Sequence, residues 1–310
     1  MPPSVPDDAR PIKPYRRCGS GNLAAAGRTR ADRVGTSLME ALGMDVHVED
    51  HPGPGPAVVL VHGAFCDATH WRHQVGPLTD VGRRVITLDL PGHGRSAYPA
   101  GGSFAVADMA SAVLDVIDRM GAAGCVLVGH SYGCRVALEV TDREPSAVAG
   151  LVLVDGSRAS GASGDEQILA ALRAKGGERF VLDLFEEMFV AGSDPSVKAA
   201  VLGGLPTADD HMISGIMSAI VEWDRDRLDA VVGRMAVEVL AIQSTSYGPD
   251  NVRRSLDSPT DRTPFLRALE AGPAPVSVRV VPGVGHFTML EAPDEVTGAL
   301  VAFSHSAAEP

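Results

Sequence analysis

The segment Gly129-His130-Ser131-Tyr132-Gly133 is where the residue types and spacing of this chain most plainly permit chemistry. It reads G-x-S-x-G, follows directly on the apolar run Cys125 to Val128 (CVLV), and leads into a helical pattern from Tyr132 to Thr141. A strand that turns so abruptly into a helix needs small residues on both sides of the central one. The central hydroxyl then projects above the sheet edge, and the helix N-terminus points at it. Backbone N–H groups and the helix dipole there favour negative charge that develops during attack. Ser131 is therefore a candidate nucleophile rather than an ordinary turn serine. His70 and His73 stand three apart, but no carboxylate or cysteine pattern completes a zinc site. Neither a metal nor a cofactor is expected.

The elements that must position Ser131 alternate along the chain. Met44 to Glu49 alternates apolar and polar residues, as a half-buried strand does. Ala57 to Val61 (AVVLV) is a continuous apolar run, as in a strand buried on both faces. Arg84 to Leu88, Cys125 to Val128 and Leu151 to Val154 are further strands, with helical patterns at Trp71 to Leu78 and Val106 to Met120 between them. This implies an α/β fold with a mostly parallel sheet and helices on both faces. From Ser157 to Arg234 the pattern changes to helices alone: Asp165 to Lys175, Glu178 to Val190 and Asp209 to Trp223. Strands resume at Val237 to Ile242 and Val276 to Val281, and a last helix covers Pro293 to Phe303. The expected organisation is a core of residues 39–156 and 235–310 interrupted by a helical insertion, 157–234.

The chain has 310 residues, 45% of them hydrophobic, enough for one large α/β domain with an insertion. Its formal net charge of −12 lacks the basic footprint of a nucleic-acid binder and disfavours anionic membranes. No apolar run is long enough to span a bilayer. The four cysteines, Cys18, Cys66, Cys125 and Cys134, form no C-x-x-C pair and read as free thiols of a cytoplasmic protein. Residues 1–38 are rich in Pro, Gly, Ala and Arg and read as a disordered leader, or as an extension ahead of a start near Met39 or Met44. Arg16-Arg17 suggests a twin-arginine signal, but the stretch after it is too short and too polar for one.

Four motifs, taken together, resemble the α/β-hydrolase superfamily. Val59-Leu60-Val61-His62-Gly63-Ala64-Phe65 is similar to its His-Gly oxyanion loop, and Asp89-Leu90-Pro91-Gly92-His93-Gly94-Arg95-Ser96 to its D-x-P-G-x-G-x-S loop. With Gly129 to Gly133 and the stretch Gly285-His286-Phe287 to Glu291, they stand in the family order over about residues 44–304. The resemblance implies an α/β-hydrolase sheet whose insertion is a helical cap. It also implies the chain order nucleophile, acid, histidine. Of the histidines after Ser131, His211 lies in the insertion and His305 in the tail, which leaves His286 as the base.

The acid is where the sequence departs from the common pattern. After the strand that follows the cap the chain reads Gln243-Ser244-Thr245-Ser246-Tyr247-Gly248-Pro249-Asp250, and Ser246 or Tyr247 stands at the usual offset. Asp155 ends the strand before the cap, where lactone-cleaving and dehalogenating branches of the family place their acid. Asp155 is preferred, Asp250 is the alternative, and the cap residues Glu222, Asp224 and Asp226 follow. The oxyanion donors are expected to be the N–H groups of Tyr132 and of Ala64, ahead of Phe65. Phe65, Met188 and Trp223 are chosen as pocket residues.

The expected activity is hydrolysis of a carboxylic ester, lactone or thioester with a small apolar acyl or lactone substrate, through an acyl-enzyme. The same groups also suit carbon–carbon bond hydrolysis, amide cleavage or perhydrolysis. A silent small-ligand receptor on this fold is a further alternative. Ser131 at the turn excludes the haloalkane dehalogenase and epoxide hydrolase chemistry that needs aspartate there. Oligomeric state is left open.

Overall fold

A computed structural model of the chain describes residues 45–97, 102–158, 170, 172–206, 208–248 and 252–307. The apolar runs form a seven-stranded sheet in the order β1-β3-β2-β4-β5-β6-β9. These are β1 (Val48–His51), β2 (Ala57–Val61), β3 (Arg84–Leu88), β4 (Cys125–His130), β5 (Val148–Val154), β6 (Glu238–Gln243) and β9 (Val276–Val280). All pairs are parallel except β1 with β3, an antiparallel edge pair. β2 and β4 are buried along their whole length, as continuous apolar runs require when helices cover both faces.

Helices α1 (Arg72–Asp80), α2 (Val106–Arg119), α3 (Tyr132–Arg143), α8 (Pro264–Glu270), α9 (Thr288–Glu291) and α10 (Pro293–Ser306) belong to the sheet-forming parts of the chain. Between β5 and β6 the chain builds α4 (Gly177–Glu186), α5 (Pro195–Gly203), α6 (Asp210–Asp226) and α7 (Leu228–Val232) and no strand among its described residues. The strand order reverses around β2, which has β3 on one side and β4 on the other. In open α/β sheets, ligands bind beyond the strand carboxyl ends at such a reversal. The loop after β2, the Ser131 turn after β4 and Asp155 after β5 all lie at that end.

Some elements differ from the sequence reading. The first strand is displaced to Val48–His51, because its antiparallel register pairs Val48 with Leu88 and His51 with Val85. A small antiparallel hairpin, β7 (Thr245–Tyr247) and β8 (Arg253–Ser255), follows β6 where no strand is expected. Its segments are three residues long, too short for alternation to mark them. The leader 1–38, Cys18, Asp250 and most of the helix expected at Asp165 to Lys175 lie outside the described residues. Cys66, Cys125 and Cys134 are free and buried.

Candidate active site

The turn at Ser131 is strained in the manner its flanking residues foretell. Ser131 takes φ 53° and ψ −112°, a left-handed region costly for a residue with a Cβ, by about 1–3 kcal/mol. The tight approach of strand and helix accounts for its neighbours: a Cβ on Gly129 would lie 2.2 Å from the carbonyl oxygen of Gly133. The Ser131 N–H donates to the Val154 carbonyl at 3.0 Å, so the turn is fastened to the end of β5. Ser131 keeps partial exposure while His286 and Asp155 are buried.

Three sequence-selected side chains meet here. Ser131 Oγ lies 2.8 Å from His286 Nε2, and His286 Nδ1 lies 2.6 Å from Asp155 Oδ2. Asp155, also at positive φ (45°), is cradled by donors from the residues after β6. Its Oδ1 accepts from Gln243 Nε2 at 2.9 Å and from the N–H groups of Ser244 and Thr245, both at 2.8 Å. Its Oδ2 accepts from Thr245 Oγ1 at 2.6 Å. Burial opposes ionisation of this carboxyl. The hydrogen bond from His286, the charges of His286 and Arg253, and the Thr245 hydroxyl outweigh burial and hold the carboxyl at about 2. An ionised Asp155 leaves His286 Nδ1 as the proton donor of their bond and Nε2 as the acceptor facing Ser131. Burial, then the positive charge of Arg253, pushes His286 down to about 4 despite Asp155. At neutral pH the imidazole is thus neutral and able to take a proton from Ser131.

The loop after β2 lies against the Ser131 turn. A Cβ on Gly63 would fall 2.9 Å from His130 Nδ1 and 3.2 Å from Ser131 Cβ. Glycine at 63 therefore lets the loop lie close to Ser131, and Phe65 in the same loop takes φ 56°. Tyr132 is the first residue of α3, and its hydroxyl donates to the Phe104 carbonyl at 2.8 Å. His62 holds the loop: Nδ1 donates to the Gly63 carbonyl at 2.7 Å and Nε2 accepts the Leu90 N–H at 2.9 Å. Both bonds require the neutral ring, and burial lowers its basicity to about 3. Asp89 accepts from the N–H groups of Ala68 and Arg95 at 2.8 and 2.9 Å, joining its own loop to this one. His130 supports the histidine loop, with Nε2 donating to the His286 carbonyl at 3.0 Å.

The expected pocket residues have different surroundings. Phe65 is buried against Phe185 of α4, with ring centroids 6.4 Å apart, and Phe185 and Phe189 both pack on Phe287 beside the histidine. Met188 is partly buried, and its carbonyl accepts the His286 N–H. Trp223 lies at the seam between α6 and α3, where its Nε1 donates to Glu139 at 2.9 Å. Its polar edge joins α6 to α3. A cavity of about 380 Å³ lined by Leu172, Arg173, Gly176, Asp210 and Ser214 includes none of the Ser131, His286 and Asp155 group. Among the described residues, no cluster of three or more His, Cys, Asp or Glu side chains could hold a metal.

Sequence reasoning missed the cradle and Arg253. Gln243, Ser244 and Thr245 are polar residues that continue a buried strand and are themselves buried. That pattern is the available signal: the stretch without a carboxylate supplies donors to the carboxylate of the neighbouring strand.

The profile of the alpha/beta hydrolase family matches residues 58–299, and the chain belongs to that family. Two curated relatives match parts of it. A protein of Variovorax paradoxus named for carbamate hydrolysis, RutD, is 42% identical over 113 residues, 36% of this chain and 42% of that one. The sn-1-specific diacylglycerol lipase ABHD11 of Xenopus tropicalis is 31% identical over 153 residues, 47% of this chain and 46% of the relative. The chain thus spans less than half the length of either relative. A thermophilic esterase of Thermogutta terrifontis shares the fold, with TM-score 0.71 and 23% identity over 86% of this chain and 95% of its own. Among the described residues no helix is long and apolar enough to cross a membrane.

Proposed function

We propose that this protein is a serine hydrolase that cleaves a carboxylic ester, lactone or thioester through an acyl-enzyme. The observation that carries the reading is the continuous line from Ser131 Oγ through the His286 ring to Asp155, at 2.8 and 2.6 Å. In this reading His286 Nε2 takes the Ser131 proton as Oγ attacks the carbonyl carbon. The Tyr132 and Ala64 N–H groups receive the developing oxyanion. The imidazolium, stabilised by Asp155, then protonates the leaving group. Water, deprotonated by the same imidazole, releases the acid and restores Ser131. No cofactor enters this sequence.

The cap is taken as residues 157–234 over a core of 39–156 and 235–310. The apolar cluster of Phe65, Phe185 and Phe287, of which Phe287 packs on His286, supports a small apolar acyl or lactone group as the one these surroundings suit. The names of the two relatives, for carbamate hydrolysis and for a diacylglycerol lipase, point towards hydrolysis at a carbonyl. Cytoplasmic location is part of the proposal and is supported by the free thiols Cys66, Cys125 and Cys134.

The test is a fluorophosphonate label located by mass spectrometry, together with turnover of a panel of aryl esters, lactones, thioesters and amides. Label on Ser131 alone, loss of turnover in Ser131→Ala and preference for esters or lactones are expected. Turnover that survives in Ser131→Ala would falsify the reading.

A further inference from the structure

Arg253 is set into the histidine–aspartate pair from outside the four recognised motifs. Its side chain is 5% exposed, and its guanidinium lies over the Tyr247 ring at 4.3 Å. One terminal nitrogen donates to the Tyr247 hydroxyl at 2.8 Å. The other donates to Thr245 Oγ1 at 2.6 Å and stands 3.5 Å from Asp155 Oδ2 and 3.1 Å from His286 Nδ1. The last contact is not a hydrogen bond, since Nδ1 already carries the proton given to Asp155. Two donors face one another there, with Asp155 Oδ2 beside both, and a positive charge on the ring would add to their repulsion.

We propose that Arg253 is a positioning residue that holds the Thr245 hydroxyl on Asp155 and keeps His286 neutral, extending its service as a base into acid solution. The proposal rests on the serine hydrolase reading above. Arg253 donates to Thr245 Oγ1, and that hydroxyl's own proton is thereby turned onto Asp155 Oδ2, which fixes the edge that His286 must meet. A fixed cation this close to the ring also penalises the imidazolium. The other charged and titratable groups around the ring do not cancel it. Asp155 favours the imidazolium but is shared with Arg253. His130 is buried and neutral, with burial the main cause. Arg135 on α3 is a second cation, paired to Asp224 at 2.6 Å. Glu291 is occupied with the Gly285 N–H and Ser193, and burial raises its carboxyl. Of the two cations near the ring, Arg253 thus weighs more than Arg135.

The experiment is titration of the His286 imidazole by NMR on histidine-labelled protein, assigned with His286→Asn, in the wild type, Arg253→Met and Arg253→Lys. The pH profile of kcat/KM on one ester is measured in parallel. The wild-type ring is expected to titrate below the ordinary 6.5. Arg253→Met should raise that midpoint and the acid limb together by about one unit or more, while Arg253→Lys keeps both closer to wild type. A wild-type midpoint at or above the ordinary value overturns the proposal without any variant, so a misfolded Arg253→Met does not protect it. An unchanged midpoint and acid limb in folded Arg253→Met overturn it equally. The NMR titration needs no turnover. Failure of Ser131 labelling would sink the hydrolase reading and leave the Arg253–His286 coupling separately measured.

Discussion

The backbone N–H of His286 donates to the carbonyl of Met188 at 2.8 Å, so the histidine loop hangs in part from the segment that follows helix α4. The two segments meet again at Glu291, whose carboxylate accepts the Gly285 N–H at 3.0 Å and the Ser193 hydroxyl. Glu291→Ala would leave the buried Gly285 N–H unpaired, at a cost of about 1–3 kcal/mol, while the half-buried Ser193 hydroxyl can turn to water. A loss of stability and a fall in kcat larger than any change in KM are expected. Thermal melts and steady-state kinetics on one ester check this, and an unchanged kcat would show that the loop does not depend on Glu291.

Asp155→Asn should lower kcat by about a thousandfold or more, because the histidine tautomer is no longer held and its cation no longer stabilised. Asp250→Asn should cost little, since the donors of Gln243, Ser244 and Thr245 are already committed to Asp155. Both variants are assayed on one ester, with circular dichroism to confirm folding. The reverse pattern would move the acid role to Asp250.

The difference between these two aspartates shows how much of the site the sequence carries. Ser131, His286 and Asp155 each follow directly on or close behind an apolar run that is also a sheet strand, but His286 and Asp155 are singled out only with the chain order and acid placement that the family resemblance implies. The parallel sheet was legible for the same reason: AVVLV and CVLV are buried on both faces. Arg253 was not legible. It lies on a three-residue strand in a hairpin without hydrophobic period, and its partners Tyr247 and Thr245 are brought to it only by the turn. The setting of Trp223 was not legible for a related reason. Its helix spacing marks an apolar face, but which neighbour that face meets depends on Glu139 of another helix.

Gly63→Ala tests the oxyanion role proposed for the loop after β2 and for the Ala64 N–H. The added methyl would press on His130 Nδ1 at 2.9 Å and on Ser131 Cβ at 3.2 Å, so the loop must retreat by a few tenths of an ångström. Such a retreat lengthens the hydrogen bond from Ala64 to the oxyanion and leaves ground-state binding nearly intact. A fall in kcat of about 10- to 100-fold is expected, somewhat less than loss of a whole donor. A larger change in KM than in kcat would place the effect in substrate binding instead.

Stability should fall as the solution is acidified, starting well above the carboxylate range. Burial is the leading cause that lowers four histidines: His62 to about 3, His93 and His286 to about 4, and His130 well below the ordinary 6.5. As the pH drops from 6.5 towards 4, the unfolded chain takes up protons that the folded chain refuses, so the unfolded state gains. Asp155, held at about 2 against an ordinary 3.8, adds its loss only as the pH falls below that ordinary value. Glu291, raised by burial, acts in the opposite sense, and so does His70, pushed up to about 10 against its burial by Cys66 and Asp67, with its contribution complete once the pH is below 6.5; two groups do not offset four. The melting temperature should therefore decline steadily between about pH 6.5 and 4. A flat profile there would mean that these rings titrate normally in the folded protein.

The last expectation concerns the join between α6, in the proposed cap, and α3, which follows Ser131. Arg135 meets Asp224 through two bonds, Nε to Oδ1 at 2.8 Å and a terminal nitrogen to Oδ2 at 2.6 Å, with both side chains almost wholly buried. The same guanidinium donates to the Ser157 carbonyl at 3.0 Å, one step past Gly156. One pair thus ties α6 to α3 and to the chain leaving Asp155. Removing one partner strands the other charge in the interior, so Arg135→Met or Asp224→Leu alone should cost about 3–5 kcal/mol. Replacing both removes the stranded charge, and Arg135→Met with Asp224→Leu should recover a large part of that loss. Urea melts of the four proteins close the cycle. Activity separates two roles for the pair. If it serves only to hold the fold, the double variant should regain stability and turnover together. If it also places the cap over Ser131, turnover should stay low in the stable double variant, and KM should rise with it. Additive losses with no recovery in the double variant would show that the two side chains act independently, despite their 2.6 Å contact.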